Sequence, residues 1–201
     1  MISAKHSKSK ESLRKELLLE RRSLDRDEWL RKSGEIVGRV KAMQVILDAR
    51  RIHCYVSMER EREVCTLELL EWLCLERKEL YLPYIERGQM VAARYTISHK
   101  LLVSAIGPPV PDPLVFSDEC GFDAVIVPLA GFDRRGGRIG YGKGWYDRFF
   151  DRLATRAVRP VRIGLAFDFQ AVASIPSDSW DEPLDMVVTE SEIINCLTMR
   201  A

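Results

Sequence analysis

No stretch of this 201-residue chain stays apolar for the roughly 20 residues that a membrane-spanning helix needs. The N-terminus has no apolar segment of the kind that marks a secretory leader. The five cysteines, at positions 54, 65, 74, 120 and 196, never fall in a C-x-x-C pair. Cys54, Cys65 and Cys74 sit in or beside apolar runs, so the expectation is buried free thiols, not a disulfide framework or a thiolate metal site. His6, His53 and His99 are too scattered for zinc-ligand spacing. A net charge of +1 provides no broad basic face, which argues against nucleic acid as a partner. There is no internal repeat and no low-complexity linker. These absences leave a single globular domain over residues 1–201, expected to be cytoplasmic and monomeric, with residues 1–8 mobile and no membrane partner.

Periodicity sets out the elements. Leu13, Leu17 and Leu18 recur at helical spacing between Lys10 and Arg22. Asp25 with Glu28 three residues on reads as a capping box, and Trp29, Ile36, Val37 and Val40 give the next helix its apolar stripe. Thr66 is placed to cap a helix carrying Leu67, Leu70 and Leu73. Strands are predicted at Ile52–Val56, Glu79–Pro83, Met90–Tyr95, Ala124–Val127, Val161–Phe167 and Asp185–Thr189, with a closing helix from Glu190 to Leu197. Lys100–Ile106 has no clear type. The proline run from Gly107 to Pro113 excludes helix and central strand, because proline removes donors and fixes φ. It is a stiff connector suited to walling a pocket. Strands alternating with helices predict an α/β fold: a mainly parallel sheet with helices on both faces, three-layered and Rossmann-like.

The chemistry concentrates in one stretch. After the apolar strand at 124–127, the chain places Gly136, Gly137, Gly140, Gly142 and Gly144 among Arg138, Lys143 and Arg148, then presents Asp147. Residues without Cβ let the backbone approach a ligand and point N–H groups at it. Cations add attraction for an anion, and a following carboxylate suits a divalent metal. Polyphosphate with magnesium uses all three. Two familiar templates nearly fit and fail. The P-loop pattern has Gly144 where a hydroxyl should hold magnesium, and the dinucleotide pattern has its third glycine one residue early. Asp181 and Asp185, before the last predicted strand, form a second acidic pair. Magnesium binding through one or two carboxylates plus phosphate is the reading that joins them to Asp147. The plain alternative for Asp147 is a carboxylate complementing a helix macrodipole.

The assembled motifs resemble the 5-formyltetrahydrofolate cyclo-ligase family, also called methenyltetrahydrofolate synthetases. The long central match is Phe132-Asp133, Gly136, Arg138-Ile139-Gly140, Gly142 and Gly144-Trp145-Tyr146-Asp147. Around it stand Lys10-x-x-Leu13-Arg14, Tyr55-Val56-Ser57, Glu63-Val64-Cys65-Thr66, Leu82-Pro83, Asp181, Asp185 and Thr189-Glu190. The resemblance spans residues 10–190 in order. It departs at Trp180, where the family usually has His, at Asp112, where it has Glu, and at Trp145, where Tyr is more frequent. The spacer Met58–Arg62 leaves a choice between Glu61 and Glu63 for one family position.

The resemblance implies an enzyme that uses ATP and magnesium to close 5-formyltetrahydrofolate, polyglutamylated or not, into 5,10-methenyltetrahydrofolate, releasing ADP and phosphate. Phosphorylation of the formyl oxygen would make it a leaving group for attack by N10. By position, it implies nucleotide binding by Lys10, Arg14, Arg138, Ile139, Gly140, Tyr141, Gly142, Lys143, Gly144, Trp145 and Tyr146. Among these it gives Lys143, Arg138 and Tyr146 catalytic roles. It implies folate binding by Val56, Glu63 and Tyr141 to Trp145, and metal binding by Asp147 and Asp181, with Asp185 supporting them or pairing structurally. Two other readings share the motif. One is a kinase acting on another small molecule through the same phosphate loop. The other is a binding homologue without turnover. A basic N-terminal helix that contacts RNA is disfavoured by its lack of interleaved aromatics.

Overall fold

A computed structural model of the chain describes residues 9–103, 107–116, 118–119 and 121–198. The expected mobile segment 1–8, Cys120 and the end of the untyped stretch at 104–106 lie outside those residues. The described elements, in chain order, are α1 (Lys10–Arg22), α2 (Arg26–Ala42), α3 (Gln44–Asp48), β1 (Arg51–Cys54), α4 (Leu67–Leu75), β2 (Glu79–Glu86), β3 (Gln89–Tyr95), β4 (Lys100–Leu102), β5 (Val110–Asp112), β6 (Ala124–Pro128), β7 (Gly131–Phe132), β8 (Arg138–Ile139), α5 (Trp145–Thr155), β9 (Val161–Leu165), β10 (Met186–Val188) and β11 (Ile193–Asn195). Seven strands form one sheet in the order β11-β10-β9-β6-β1-β2-β3. The five inner strands run parallel, while β3 and β11 pair antiparallel at the two edges. The mainly parallel α/β expectation is therefore met, with an antiparallel strand closing each edge.

Side chains of successive strand residues point to opposite faces, and the core divides accordingly. On one face Ile52, Cys54, Ile126 and Ile163 pack against Ile36, Val37 and Val40 of α2, Ile46 of α3 and Leu69, Leu70 and Leu73 of α4. On the other face Val125, Val127 and Val187 pack against Phe149, Phe150 and Leu153 of α5. The chain leaves β1 through α4 to reach β2, and leaves β6 through α5 to reach β9, in opposite directions along the sheet and over opposite faces. Two crossovers of the same hand require that arrangement. The strand order therefore reverses between β1 and β6, and open α/β sheets bind ligands beyond the carboxyl ends of the strands at such a point. Among the described residues, no helix is long and apolar enough to cross a membrane.

Local physics overrides several expectations. The closing helix at Glu190–Leu197 is instead β11. Ile194 and Cys196 are buried while Ile193 and Asn195 face solvent, a period of two that suits an edge strand hairpinned onto β10. Thr66 occupies the helix-start position of α4 without capping it; its hydroxyl donates to the Tyr55 carbonyl and accepts from the Ser57 N–H, holding the loop after β1 closed. Asp25 does cap α2, accepting from the Asp27 and Glu28 N–H groups, but Glu28 pairs with Lys32 and does not reach back to the cap. Cys54 is buried as expected, whereas Cys65 and Cys74 are only partly covered. Glu79–Pro83 extends to Glu86 as β2.

His53 is fully buried on β1, ringed by Phe122, Tyr146 and Phe149, and neither ring nitrogen has a partner among the described residues. Burial alone pushes its imidazole from 6.5 down to about 3. The unfolded chain thus takes up a proton below pH 6.5 that the folded chain refuses until about pH 3, so stability falls with pH across that window. The His53→Leu variant is expected to lack that slope. Between pH 6 and pH 4, urea unfolding of the parent should lose about 1.4 kcal/mol per pH unit more than the variant. Parallel curves would show that His53 does not refuse the proton.

Candidate active site

The chain beyond β6 has few side chains with which to fix itself, so buried polar groups elsewhere hold it. β7 and β8 form a short antiparallel hairpin. At its tip the buried Asp133 carboxylate accepts from the N–H groups of Arg135 and Gly137 through Oδ1, and from Ile175 through Oδ2. A Cβ on Gly137 would lie 2.6 Å from Asp133 Oδ2, so only glycine permits this close approach. Past β8 the chain runs through Gly140–Gly144 into α5. Gly144 starts that helix with φ +62°, which accounts for glycine where a P-loop would have a hydroxyl. The opening N–H groups of α5 have no partner within the helix, as at any helix start, and no side chain caps them.

Helix α1 clasps this turn from outside. Arg14 donates from Nε to the Gly140 carbonyl at 2.7 Å. One turn nearer the N-terminus, Lys10 Nζ lies 2.7 Å from Asp178 and 2.5 Å from Asp181. Two turns on from Arg14, Arg21 is 1% exposed and donates to the carbonyls of Glu61 and Leu129 and to the Tyr141 hydroxyl. Arg21 carried no expectation from the sequence. Its position four residues after Leu17 and three after Leu18, the buried leucines of α1, was the available signal that it faces inward. Asp133 and Asp178 were likewise given no role.

A cleft of about 1140 Å³ opens beyond the carboxyl ends of β1, β2 and β6, and every residue predicted for nucleotide, folate or metal lines it. This is more room than the roughly 300–1,000 Å³ of a single small-ligand site, which suits two substrates side by side. Pro108 and Val110 of the proline connector form part of its wall, as expected, and Trp180 stands exposed at the rim. A Cβ on Gly140 would meet nothing within 4 Å, so open cleft lies directly before that backbone.

The two halves of the cleft differ in character. In the turn half, Asp147 Oδ1 accepts from Arg138 at 2.6 Å and from the Glu182 N–H. Asp181 is held by Lys10 and by the Asp178 N–H. The residues predicted for phosphate and those predicted for metal are therefore paired with one another. Burial pulls the Arg138 guanidinium down from its ordinary value, opposed by Asp147. Burial also works against charge on Lys10, but its hydrogen bonds to Asp178 and Asp181 outweigh it and raise the ammonium. Lys143 is exposed and has no partner among the described residues. Asp185 stands apart from the cleft, accepting from the Arg162 N–H on β9; it is a structural group.

In the other half, Glu63 is 2% exposed and accepts from the Tyr141 hydroxyl and the Met58 N–H, both at 2.7 Å. Burial lifts its carboxyl above the usual carboxylate range, with Arg21, Tyr141 and the Met58 N–H opposing that lift. Glu61 also borders the cleft and is bound by Arg22 at 2.6 Å. Val56 lies beside Glu63 as apolar wall.

The donor set fits a metal–polyphosphate ligand. Asp147 and Asp181 supply hard oxygen ligands to one cleft, and magnesium asks for no more than one or two carboxylates plus phosphate oxygens and water. Among the described residues, no group of three or more His, Cys, Asp and Glu is placed to hold a metal ion by itself. Arg138 Nη1 and the Tyr146 hydroxyl are buried in the same wall without partners among the described residues. Buried donors left unmade are costly, and a ligand oxygen would satisfy them. Burial pushes the Tyr146 phenol well above its ordinary value, so it is a proton donor at neutral pH and no base.

Fold and cleft together define a doubly wound α/β protein whose cation-flanked glycine turn and buried carboxylate share one cavity at the switch point of the sheet. The chain belongs to the 5-formyltetrahydrofolate cyclo-ligase family, whose model matches residues 6–190. It is 29% identical over 178 residues to 5-formyltetrahydrofolate cyclo-ligase of Escherichia coli K12, covering 86% of this chain and 96% of that protein. It is 29% identical over 192 residues to the Mus musculus protein of the same name, covering 90% and 94%. The solved structure of Aquifex aeolicus 5,10-methenyltetrahydrofolate synthetase superposes with a TM-score of 0.81 at 30% identity, over 93% of this chain and 92% of that one.

The turn itself supplies a test. Gly142 has φ +81°, and a Cβ there would lie 3.3 Å from the Arg14 guanidinium carbon. Gly142→Ala is expected to cost about 1–2 kcal/mol for the left-handed backbone. Gly140→Ala, at an unstrained position facing open space, is expected to be neutral or stabilising by up to about 1 kcal/mol. Equal losses in urea titrations of the two variants would contradict this geometry.

Proposed function

We propose that this cleft carries out the ATP-dependent cyclisation of 5-formyltetrahydrofolate to 5,10-methenyltetrahydrofolate, with release of ADP and phosphate. The observation that carries the reading is the meeting, in one cavity, of a cation-flanked glycine turn and a buried carboxylate. The formyl group on N5 is an amide, and its oxygen is a poor leaving group. Moving the γ-phosphoryl of ATP onto that oxygen turns it into one. N10 then attacks the formyl carbon, the bridge closes and phosphate departs. Little covalent chemistry falls to the protein, whose work is alignment and charge neutralisation.

Each residue has a task within that division. The backbone of Gly140–Gly144 and the head of α5 cradle the phosphates, with Arg14 and Lys10 on the flank. Arg138 and the unpartnered Lys143 neutralise charge on the group in transit, and Tyr146 donates a hydrogen bond from its neutral phenol. Asp147 and Asp181 would hold magnesium, which screens phosphate charge when bound. Glu63 accepts from the N–H edge of the pterin, while Val56, Tyr141 and Trp145 wall the ring. ATP and magnesium are thus the partners of one half, and 5-formyltetrahydrofolate, with or without additional glutamates, is the partner of the other. A cytoplasmic monomer is the working form in this reading.

The test is formation of methenyl product, followed by its absorbance, from 5-formyltetrahydrofolate, ATP and magnesium. Asp147→Asn is expected to lower kcat/KM for magnesium–ATP by at least about 100-fold, on the scale of lost charge stabilisation, while calorimetric affinity for 5-formyltetrahydrofolate stays within about twofold. Glu63→Ala should do the reverse, weakening folate and sparing nucleotide. ATP turnover indifferent to the folate would point to a kinase on another acceptor, and folate binding without product would point to a non-catalytic homologue.

A further inference from the structure

Tyr141 is the one residue of the glycine turn whose side chain leaves the phosphate half of the cleft and enters the folate half. Its hydroxyl lies 2.5 Å from Arg21 Nη2 and 2.7 Å from Glu63 Oε1, and the Arg21 guanidinium also lies 5.6 Å from the centre of the Tyr141 ring. The protons in this chain can run only one way. Arginine donates and never accepts, so the Tyr141 oxygen accepts from Arg21 and its single proton must point at Glu63. That leaves Glu63 as the acceptor at the end of the relay. A carboxylate has about four lone-pair sites; Tyr141 and the Met58 N–H fill two, and two remain for a ligand's N–H groups.

Arg21 is itself immobile. It is buried to 1% exposure on the inner face of α1 and is fixed by the Glu61 and Leu129 carbonyls at 2.7 and 2.9 Å. The Leu129 carbonyl follows directly on β6, and Glu61 lies in the loop that carries Glu63. The same helix holds Arg14 against the Gly140 carbonyl. One rigid element therefore touches the turn at Gly140 and Tyr141 and the folate loop at Glu61.

We propose that Arg21 is a positioning residue that couples the two substrates, so that ordering the glycine turn around a nucleotide also fixes, through the Tyr141 hydroxyl, the carboxylate that captures the folate. This rests on the assignment of the turn to nucleotide and Glu63 to folate. Coupling between sites is reciprocal in binding, so each ligand tightens the other by the same factor.

The experiment measures binding of magnesium with a non-hydrolysable ATP analogue by calorimetry, with and without saturating 5-formyltetrahydrofolate. In the parent protein, folate is expected to tighten the analogue by at least about fivefold, the lower end of ordinary site coupling. Arg21→Met and Tyr141→Phe should each bring the factor below about twofold, and the double variant should lose no more than either alone, as members of one unit do. Arg21→Lys, which keeps a donor for the Tyr141 oxygen, should recover part of the lost factor. Should Arg21→Met fail to fold, Tyr141→Phe decides alone, since it leaves the Glu61 and Leu129 bonds of Arg21 intact. An undiminished factor in Tyr141→Phe, or no coupling in the parent, overturns the proposal. Glu63→Gln separates the two levels. If it binds folate like the parent, the underlying assignment fails. If it loses folate while Tyr141→Phe keeps full coupling, only the role of Arg21 fails.

Discussion

A segment with glycine at five of the nine positions from 136 to 144 loses more conformational entropy on ordering than any other stretch of similar length. Its only side chains are those of Arg138, Ile139, Tyr141 and Lys143, too few to fix every turn of the backbone between them. Its shape must therefore be imposed by side chains from elsewhere, and the cleft depends on that imposition. Two devices share it. Asp133 ties the hairpin tip through three backbone N–H groups, and α1 ties the following turn through Arg14 and Arg21. Both use a buried or half-buried charged group on uncharged backbone or phenol partners, the stronger kind of hydrogen bond. The geometry of the turn is thus held by donors and acceptors other than its own N–H groups.

The sheet decides where such a turn can be useful. With β1 and β6 adjacent and parallel, and crossovers departing over opposite faces, the loops after both strands rise over one end of the sheet, where α1 bridges them. The loop after β6 becomes the anion turn, and the loop after β1 carries Glu63. Their adjacency follows from strand order, and strand order is set by the face on which each helix buries its apolar stripe. Phe149, Phe150 and Leu153 on one side and Leu69, Leu70 and Leu73 on the other fix the cleft as surely as any residue that lines it.

Much of this was legible in the chain. α1 runs from Lys10 to Arg22 as its leucine spacing indicated, and β6 stood out as a short run of apolar, mostly β-branched residues. Of the glycine, cation and carboxylate cluster, Arg138 to Arg148 line the cleft, whereas Gly136 and Gly137 belong to the hairpin tip. What escaped has physical reasons. The stretch from Glu190 to Leu197 contains Ile193 and Ile194, which satisfy a helical stripe or an alternating strand equally over so few residues. The tight Thr189–Glu192 turn that decides for a strand is a backbone hydrogen bond with no signature in composition. Arg21 escaped because charge is read as surface by default. Its three partners, Glu61, Leu129 and Tyr141, are 40, 108 and 120 residues away. Asp185 was linked to Asp181 by spacing alone, whereas the β9–β10 register turns it toward the Arg162 N–H.

The pairing of Lys10 with Asp181 and of Arg138 with Asp147 bears on how the turn half is prepared. A lone carboxylate beside the turn would repel an incoming phosphate, and a lone guanidinium as buried as Arg138 would be costly to keep charged. Set against each other, the four groups pair a basic side chain with a carboxylate at two places in the wall. A magnesium–polyphosphate ligand offers both carboxylates a cation and both basic groups an anion at once, so the exchange of partners conserves charge pairing at each position. Either component alone would leave two of the four groups with a like-charged or absent neighbour. In the proposed function the arrangement would favour the metal–nucleotide complex over free metal or free nucleotide, by pairing rather than by net charge. That also explains how a chain with a net charge of only +1 can present a site for a polyanion.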